Sequence, residues 1–299
     1  MSRTSIPILF DRQRLIKHRT RAALNFSDYD FLKSRVSNAL LERLDDTSHR
    51  FARCLDLGCH HGVLAENISK RVGCDSVLAS DIAPAMLDLA RDRGVPTQQV
   101  DEAHLPFHEQ SFDLVASALS LHWVNDLLGT LIQIRRILKP DGLFLAAFFG
   151  EATLHELRAS LMEAESELTG GVAARVSPFA SLQDMAGLMQ RAGFALPVVD
   201  KDRLTVRYQT PFDLLRDLGG MGERAAFAQP SARGLSRRIL MRMAQIYQRD
   251  YADPDGKVRA SFDIIYLSGW APAPHQPQPK ARGSAKVSLA EALSAKTYK

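Results

Sequence analysis

From residue 27 to 45, apolar side chains recur at helical spacing, with Phe31, Leu32, Val36, Leu40, Leu41 and Leu44 on one stripe. The period then shortens. Residues 53–57 predict a strand that enters the turn Gly58-Cys59-His60-His61-Gly62, followed by a helix from 63 to about 71. Residues 76–80 predict a second strand ending at Asp81, and Pro84 suits the first turn of a helix running to about 93, before Gly94. A third strand is expected at 112–118. A helix over 127–138 then stops at Lys139-Pro140-Asp141-Gly142, a turn feeding a strand at 143–149. Strand, turn and helix repeated in this order predict an α/β, Rossmann-like doubly wound, mostly parallel sheet.

Beyond Gly150 the pattern changes to helices at about 151–168 and 181–192, a strand near 198–208, and helical sequence from 211 to about 250. A last apolar strand at 262–267 ends at Gly269-Trp270. Residues 271–283 hold four prolines and predict an extended tail. The expected layout is a basic segment at 1–24, one domain over 25–270 with a helical lid at about 210–251 inserted before the last strand, and a Pro-rich basic tail at 271–299.

The 299 residues are 45% hydrophobic and 24% charged, which describes a globular chain able to bury a core. No apolar run reaches the ~18 residues of a membrane span. Cys54, Cys59 and Cys74 lie too close in sequence for a disulfide framework, which suits a reducing compartment. A net charge of +4 and a pI near 9.0 suggest a polyanion partner, but the charge is unevenly placed. Residues 1–24 carry +5 and residues 271–299 carry +4, leaving the body at −5. A nucleic-acid enzyme lays its positive charge along a folded face, so nucleic acid is not the expected partner. The first segment, with Arg3, Arg12, Arg14, Lys17, Arg19 and Arg21, reads either as an organelle presequence or as a basic amphipathic helix.

The chemistry concentrates at Leu55-Asp56-Leu57-Gly58-Cys59-His60-His61-Gly62. An acid two residues before a glycine, at the carboxyl end of a first strand, marks a nucleotide-binding turn. Gly58 and Gly62 let backbone approach a ligand, and the helix behind offers free N–H groups. No Gly-Lys-Ser/Thr follows, so it is not a phosphate loop, and the glycine spacing is not that of a dinucleotide fingerprint. An acid in this place suits a cofactor with a cationic ammonium and no phosphates. Metal ligation is not expected. Cys59-His60-His61 lacks a second pair at zinc spacing, and His104, His108 and Asp113 read as solvated loop residues.

With these residues the chain resembles class I S-adenosylmethionine-dependent methyltransferases, whose first motif is D-x-G-x-G-x-G. Asp56, Gly58 and Gly62 match, while His60 stands at the middle glycine. The resemblance implies S-adenosylmethionine as cofactor and a seven-stranded sheet. It implies that Asp81, with Ile82 beside it, holds the ribose hydroxyls. Asp101 and Glu102 would lie at the adenine, Cys59 in the binding turn, and Ser117 against the methionine portion.

Leu121-His122-Trp123-Val124-Asn125-Asp126 and the run 133–142 resemble two narrower groups: the malonyl-carrier O-methyltransferases of biotin synthesis and the methyltransferase-like assembly factors of respiratory complex I. Residues 212–223, including Gly219-Gly220-Met221-Gly222-Glu223, and the ending Gly269-Trp270 to Val287-Ser288 are similar to the assembly-factor group. That resemblance implies modification, by hydroxylation or methylation, of an arginine on the quinone-proximal iron–sulfur subunit. The alternatives are an O-methyltransferase acting on an acyl carrier or small molecule, and a cofactor-stabilised assembly chaperone. Trp123, Asn125, Asp126 and Asp217 are the candidate substrate-side residues, with Asp126 or Asp217 expected to take the guanidinium. Because Leu9-Phe10-Asp11-Arg12 already resembles the family's body, the expected location is the bacterial cytoplasm, with the mitochondrial matrix as the alternative. The two basic ends are expected to dock a protein or a membrane-proximal assembly intermediate.

Overall fold

The computed structural model describes residues 7–231, 234–277, 283, 284 and 288. Its centre is one seven-stranded sheet of order β3-β2-β1-β4-β5-β7-β6. The strands are β1 (Arg53–Leu57), β2 (Ser76–Asp81), β3 (Thr97–Gln99), β4 (Phe112–Ala118), β5 (Leu138–Phe149), β6 (Ala195–Tyr208) and β7 (Val258–Trp270). All run parallel except β7, which is antiparallel to both β5 and β6. This is the doubly wound, mostly parallel sheet the periodicity predicts.

The helices are α1 (Arg12–Ala23), α2 (Phe31–Asp45), α3 (Val63–Ser69), α4 (Pro84–Asp92), α5 (Leu127–Ile137), α6 (His155–Thr169), α7 (Leu182–Arg191), α8 (Pro211–Gly220) and α9 (Arg237–Tyr251). Local chemistry starts several of them. The Asp11 side chain accepts from the Gln13 and Arg14 N–H groups at the head of α1, and Ser181 and Thr210 form capping boxes with Asp184 and Asp213. Pro84 opens α4 as expected. Helices α2, α3, α6 and α9 bury their apolar faces in one core on one side of the sheet, while α5 and α7 cover the other.

Four details depart from the periodicity. Strand β3 is only three residues, Thr-Gln-Gln, too short and polar to register as an apolar run. The helical stretch expected from 211 to 250 is two helices, separated by residues 221–236. Helix α9 is built into the core with α6 and β7, so only the end of α8 and the residues after it approach the carboxyl edge of the strands. The first residues of the expected tail are bound to the sheet: the Ala271 N–H donates to the Gly142 carbonyl at 2.8 Å, and Gln276 Nε2 donates to Asp141 Oδ1 at 2.8 Å. Arg3, Arg282 and Val287 lie outside the described residues. Among the described residues, no helix is long and apolar enough to cross a membrane.

Candidate cofactor site

The parallel register brings the carboxyl ends of β1, β2 and β4 to one edge, with Leu57 opposite Ser80 and Asp56 opposite Ala116. The turn after β1 is pinned to β2, because the Gly58 and Cys59 N–H groups donate to the Ser80 carbonyl at 2.7 and 2.8 Å. Gly58 and Gly62 both have positive φ, +76° and +79°. A Cβ on Gly62 would stand 2.7 Å from the Ala90 Cβ, so its glycine lets α3 start against α4. A Cβ on Gly58 would stand 2.0 Å from Ser120 Oγ. His60, at the middle position of the motif, adopts φ +48° without glycine's freedom. Its N–H donates to Asp81 Oδ2 at 3.1 Å, and its ring Nε2 lies 2.9 Å from Lys33 Nζ.

The acids expected to hold the cofactor converge here, in different states. Asp56 Oδ2 accepts from the Ala65 N–H at 3.1 Å, while its buried Oδ1 has no hydrogen-bond partner. Burial pushes its carboxyl up to about 8. Asp81 is fully buried; Oδ1 accepts from the Ala83 N–H at 2.8 Å, and both oxygens accept from Arg19 Nη1 at 3.0 and 2.9 Å. Glu102 accepts from Ser120 Oγ at 2.8 Å, from Arg19 Nη1 at 3.3 Å and from Arg12 Nη2. Burial alone would raise the Glu102 carboxyl, but the Arg12 and Arg19 guanidiniums outweigh it and hold it below the usual range. Asp101 Oδ1 accepts from Arg12 Nη2 at 2.8 Å.

The other three expected cofactor residues play supporting parts. Ser117 Oγ donates to the Leu57 carbonyl at 2.7 Å, tying β4 to β1. Ile82 packs with Phe10, Leu15 and Trp123. Cys59 is buried, and burial raises its thiol well above the ordinary value. Among the described residues, no group of three or more His, Cys, Asp or Glu is placed to hold a metal ion.

The candidate substrate-side residues separate. Trp123 Nε1 donates to Glu223 Oε2 at 3.0 Å, inside the site. Asn125 is a latch: its Oδ1 accepts from the Leu9 and Phe10 N–H groups, and its Nδ2 donates to the Phe10 carbonyl. Asp126 caps α5, its Oδ1 accepting from the Gly129 N–H at 2.8 Å, which gives its carboxylate a structural task. Asp217 sits half-buried on α8, where burial raises its carboxyl.

Several residues enter the site that the motifs did not reveal. Arg19 and Lys33 are 1% and 2% exposed, and burial pulls the Lys33 ammonium below its ordinary value. Lys33 Nζ donates to Glu223 Oε1 at 2.5 Å, and His122 Nε2 lies 3.2 Å from Glu223 Oε2. Burial pushes the Glu223 carboxyl up, but Lys33 and His122 overcome this and hold it well below the usual range. A signal for the arginines existed. Arg12 and Arg19 fall at helical spacing with Leu15 and Ala22, so they lie on the inward face of α1, not on its solvated one. They therefore serve the interior, and that part of the basic N-terminal segment is not a free docking arm.

A buried ionic network costs desolvation that attraction only partly returns, so it is weak evidence for stability and better evidence for a working site. The acids suit a nucleoside cofactor, and the orphaned Asp56 Oδ1 leaves an acceptor for an ammonium. The space between Asp81, Glu102 and Ser120, however, holds the Arg19 guanidinium. Beyond Glu223, between α6, the 175–179 segment and α8, lies a cavity of about 450 Å³ walled by Leu154, Leu157, Leu161, Phe179 and Leu218, with Arg175 and Arg224 also on its lining.

Comparison with known proteins agrees with this geometry. Residues 55–146 match the methyltransferase domain family. Over 287 residues the chain is 41% identical to the mitochondrial arginine-hydroxylase NDUFAF5 of Danio rerio, spanning 95% of this chain and 89% of that protein. It is 35% identical to the malonyl-[acyl-carrier protein] O-methyltransferase of Halorhodospira halophila, across 87% of this chain and 88% of the relative. The YcgJ protein of Bacillus subtilis shares the fold, with a TM-score of 0.57 at 18% identity over 79% of this chain and 99% of that one.

Proposed function

The chain belongs to the arginine-hydroxylase NDUFAF5 family, and we propose that it modifies an arginine side chain of a protein substrate during assembly of respiratory complex I. The substrate in this reading is the quinone-proximal iron–sulfur subunit of the peripheral arm, met in the bacterial cytoplasm or in the equivalent mitochondrial matrix. The observation that carries the reading is the cavity ending at Glu223. The kinship extends through the whole second half of the chain, and Gly219-Gly220-Met221-Gly222-Glu223 delivers a carboxylate to the inner end of an apolar-walled recess. An aliphatic stem, as in arginine, complements such walls, and its cationic head could share Glu223 with Lys33, although Arg175 and Arg224 also line the cavity.

The acids at the strand ends would hold S-adenosylmethionine: Asp81 at the ribose, Glu102 and Asp101 at the base, Asp56 near the ammonium. When bound, that cofactor supplies a methyl group activated by its sulfonium. The chain's own share is alignment of the reacting groups and exclusion of water, for which Trp123, Lys33 and the covered side chain of His122 are suited.

Methylation of an acyl-carrier carboxylate is the second reading, favoured by the likeness to the malonyl-carrier enzyme. A carboxylate substrate would meet Glu223 as a like charge but Arg175 and Arg224 as opposite ones, so it is the kinship of the second half of the chain that ranks this reading second. A non-catalytic assembly chaperone is the third. Mass spectrometry of the quinone-proximal subunit, from cells with and without this gene, tests all three. One extra oxygen on an arginine supports hydroxylation and one extra methylene supports methylation. An unmodified subunit with assembly still impaired overturns the enzymatic reading and leaves the chaperone.

A further inference from the structure

The carboxylates that would meet a nucleoside are already answered by cations from α1. Arg19 is 1% exposed, donating through Nη1 to Asp81 and Glu102 and through Nη2 to Ser120 Oγ at 2.8 Å. Arg12, two turns earlier on the same face, reaches Asp101 and Glu102. One helix therefore brings both guanidiniums into the acidic edge together.

Counting acceptor sites makes the consequence definite. A carboxylate offers roughly four lone-pair positions. At Asp81 the Ala83 N–H, the His60 N–H and Arg19 Nη1, the last reaching both oxygens, already take them. A ribose diol needs that same carboxylate as its acceptor. Both cannot be satisfied at once, and two of the four positions belong to Arg19.

The attachment of α1 shows which end can yield. Its leading end is latched, with Asn125 bonded to Leu9 and Phe10, the Asp11 N–H donating to the Ala226 carbonyl at 2.7 Å, and Phe10 packed edge-on to Trp123 at 5.1 Å. Its trailing end runs into Leu24, which is 82% exposed, and a three-residue 3-10 turn before α2. There Ala22 and the buried Phe26 pack with Ala83 and Met86, His18 Nδ1 lies 3.1 Å from the Arg224 carbonyl, and Arg19 supplies the ionic hold.

We propose that α1 is a built-in competitor of the cofactor: Arg19 occupies the ribose-side carboxylate, and cofactor binding is an exchange in which Arg19 withdraws with the trailing end of the helix. The inference rests on the cofactor reading of this site. Apparent affinity is then lowered by the fraction of molecules whose Arg19 is in the cage, and removing the guanidinium removes that penalty.

Titration calorimetry with S-adenosylhomocysteine on the full chain, paired with hydrogen exchange, tests this. Arg19→Gln is expected to bind at least about tenfold more tightly than wild type, and the outward-facing control Arg14→Gln to bind unchanged. In the wild type, the backbone amides of residues 16–23 should exchange faster once the ligand is bound. Equal or weaker binding by Arg19→Gln overturns the proposal, as does slower exchange in α1, because Arg19 would then be a bystander or a ligand of the cofactor. Should Arg19→Gln fail to fold, the wild-type exchange measurement decides alone. If neither protein binds, the cofactor reading falls with the proposal; if wild type binds and the variant gains nothing, only the competitor role falls.

Discussion

Two recesses meet at Glu223, and they are built in opposite ways. On the strand side, Asp81, Glu102 and Glu223 are buried and matched by Arg19, Arg12 and Lys33, so the chain's own charges fill the edge. On the α8 side, leucines and Phe179 wall a cavity of about 450 Å³ whose charged lining is Glu223, Arg175 and Arg224. The first recess can accept a ligand only by giving up contacts it already has. The second can accept one by adding contacts. Affinity in the cage is thus set by an exchange of ion pairs, whereas affinity in the cavity is set mainly by burial against its apolar walls.

The sharpest way to break this contrast is to remove one acid from the filled side. Asp81→Ala strands Arg19 beside Glu102 alone, and loss of one member of a buried pair typically costs about 3–5 kcal/mol. Urea unfolding should show that loss, and adding Arg19→Gln to Asp81→Ala should restore part of it. A cost below about 1 kcal/mol, or no recovery in the double variant, would mean that the network is not the ionic unit described.

On the open side the effect should be smaller and of another kind. Leu157, 3% exposed, faces the cavity and the core. Leu157→Ala is expected to cost about 2–3 kcal/mol, toward the lower end for a buried leucine because one of its neighbours is already open space. Cofactor affinity should be unchanged while the rate of target modification falls. If calorimetry instead shows cofactor binding lost with it, the two recesses are not separable.

The same contrast explains what the sequence could reveal. Asp56, Asp81, Gly58 and Gly62 sit at strand ends and in a turn, where local pattern fixes both position and backbone conformation, so their convergence was legible. The cations that meet them come from α1 and α2, tens of residues away, and a pairing such as Arg19 with Asp81 exists only after the sheet and helices have packed. The helical spacing of Arg12, Leu15, Arg19 and Ala22 showed an inward face, yet arginine is rarely fully buried, so composition pointed outward. Glu223 was visible as part of a family segment, while its meeting with Lys33, His122 and Trp123 depends on residues 190, 101 and 100 positions away. Strand β3 was missed for a simpler reason, since three polar residues carry no period.

Asp56 supplies a finer test, because it is buried at the cage without a cationic partner. Its carboxyl is pushed up to about 8 from an ordinary 3.8. Between those values the unfolded chain has lost the proton and the folded chain retains it, so this group makes stability fall as pH rises, and the fall ends above about 8. Lys33 and the buried histidines are shifted too, so the Asp56 contribution is read as the difference between wild type and Asp56→Asn. Across pH 7 to 8 wild type should lose about 1 kcal/mol relative to Asp56→Asn. Parallel profiles for the two proteins would place a cation at Asp56 that the geometry does not.

The smallest expected effect separates site from scaffold at the edge of the cage. Asp126 lies three residues beyond Trp123, close enough to be mistaken for a substrate acid, but its carboxylate accepts from the Gly129 N–H and starts α5. A Cβ on Gly129 would stand 2.2 Å from Asp126 Oδ2, so the glycine is part of the cap and leaves little freedom for the carboxylate to turn elsewhere. Asp126→Ala should therefore cost about 0.5–1 kcal/mol in urea unfolding, as loss of a helix cap does, with cofactor affinity and target modification at wild-type level. Asp126→Asn, which keeps an accepting oxygen, should recover most of the stability. If modification of the target instead drops while the unfolding midpoint holds, Asp126 contacts the substrate, and the boundary between scaffold and site has to be moved out to α5.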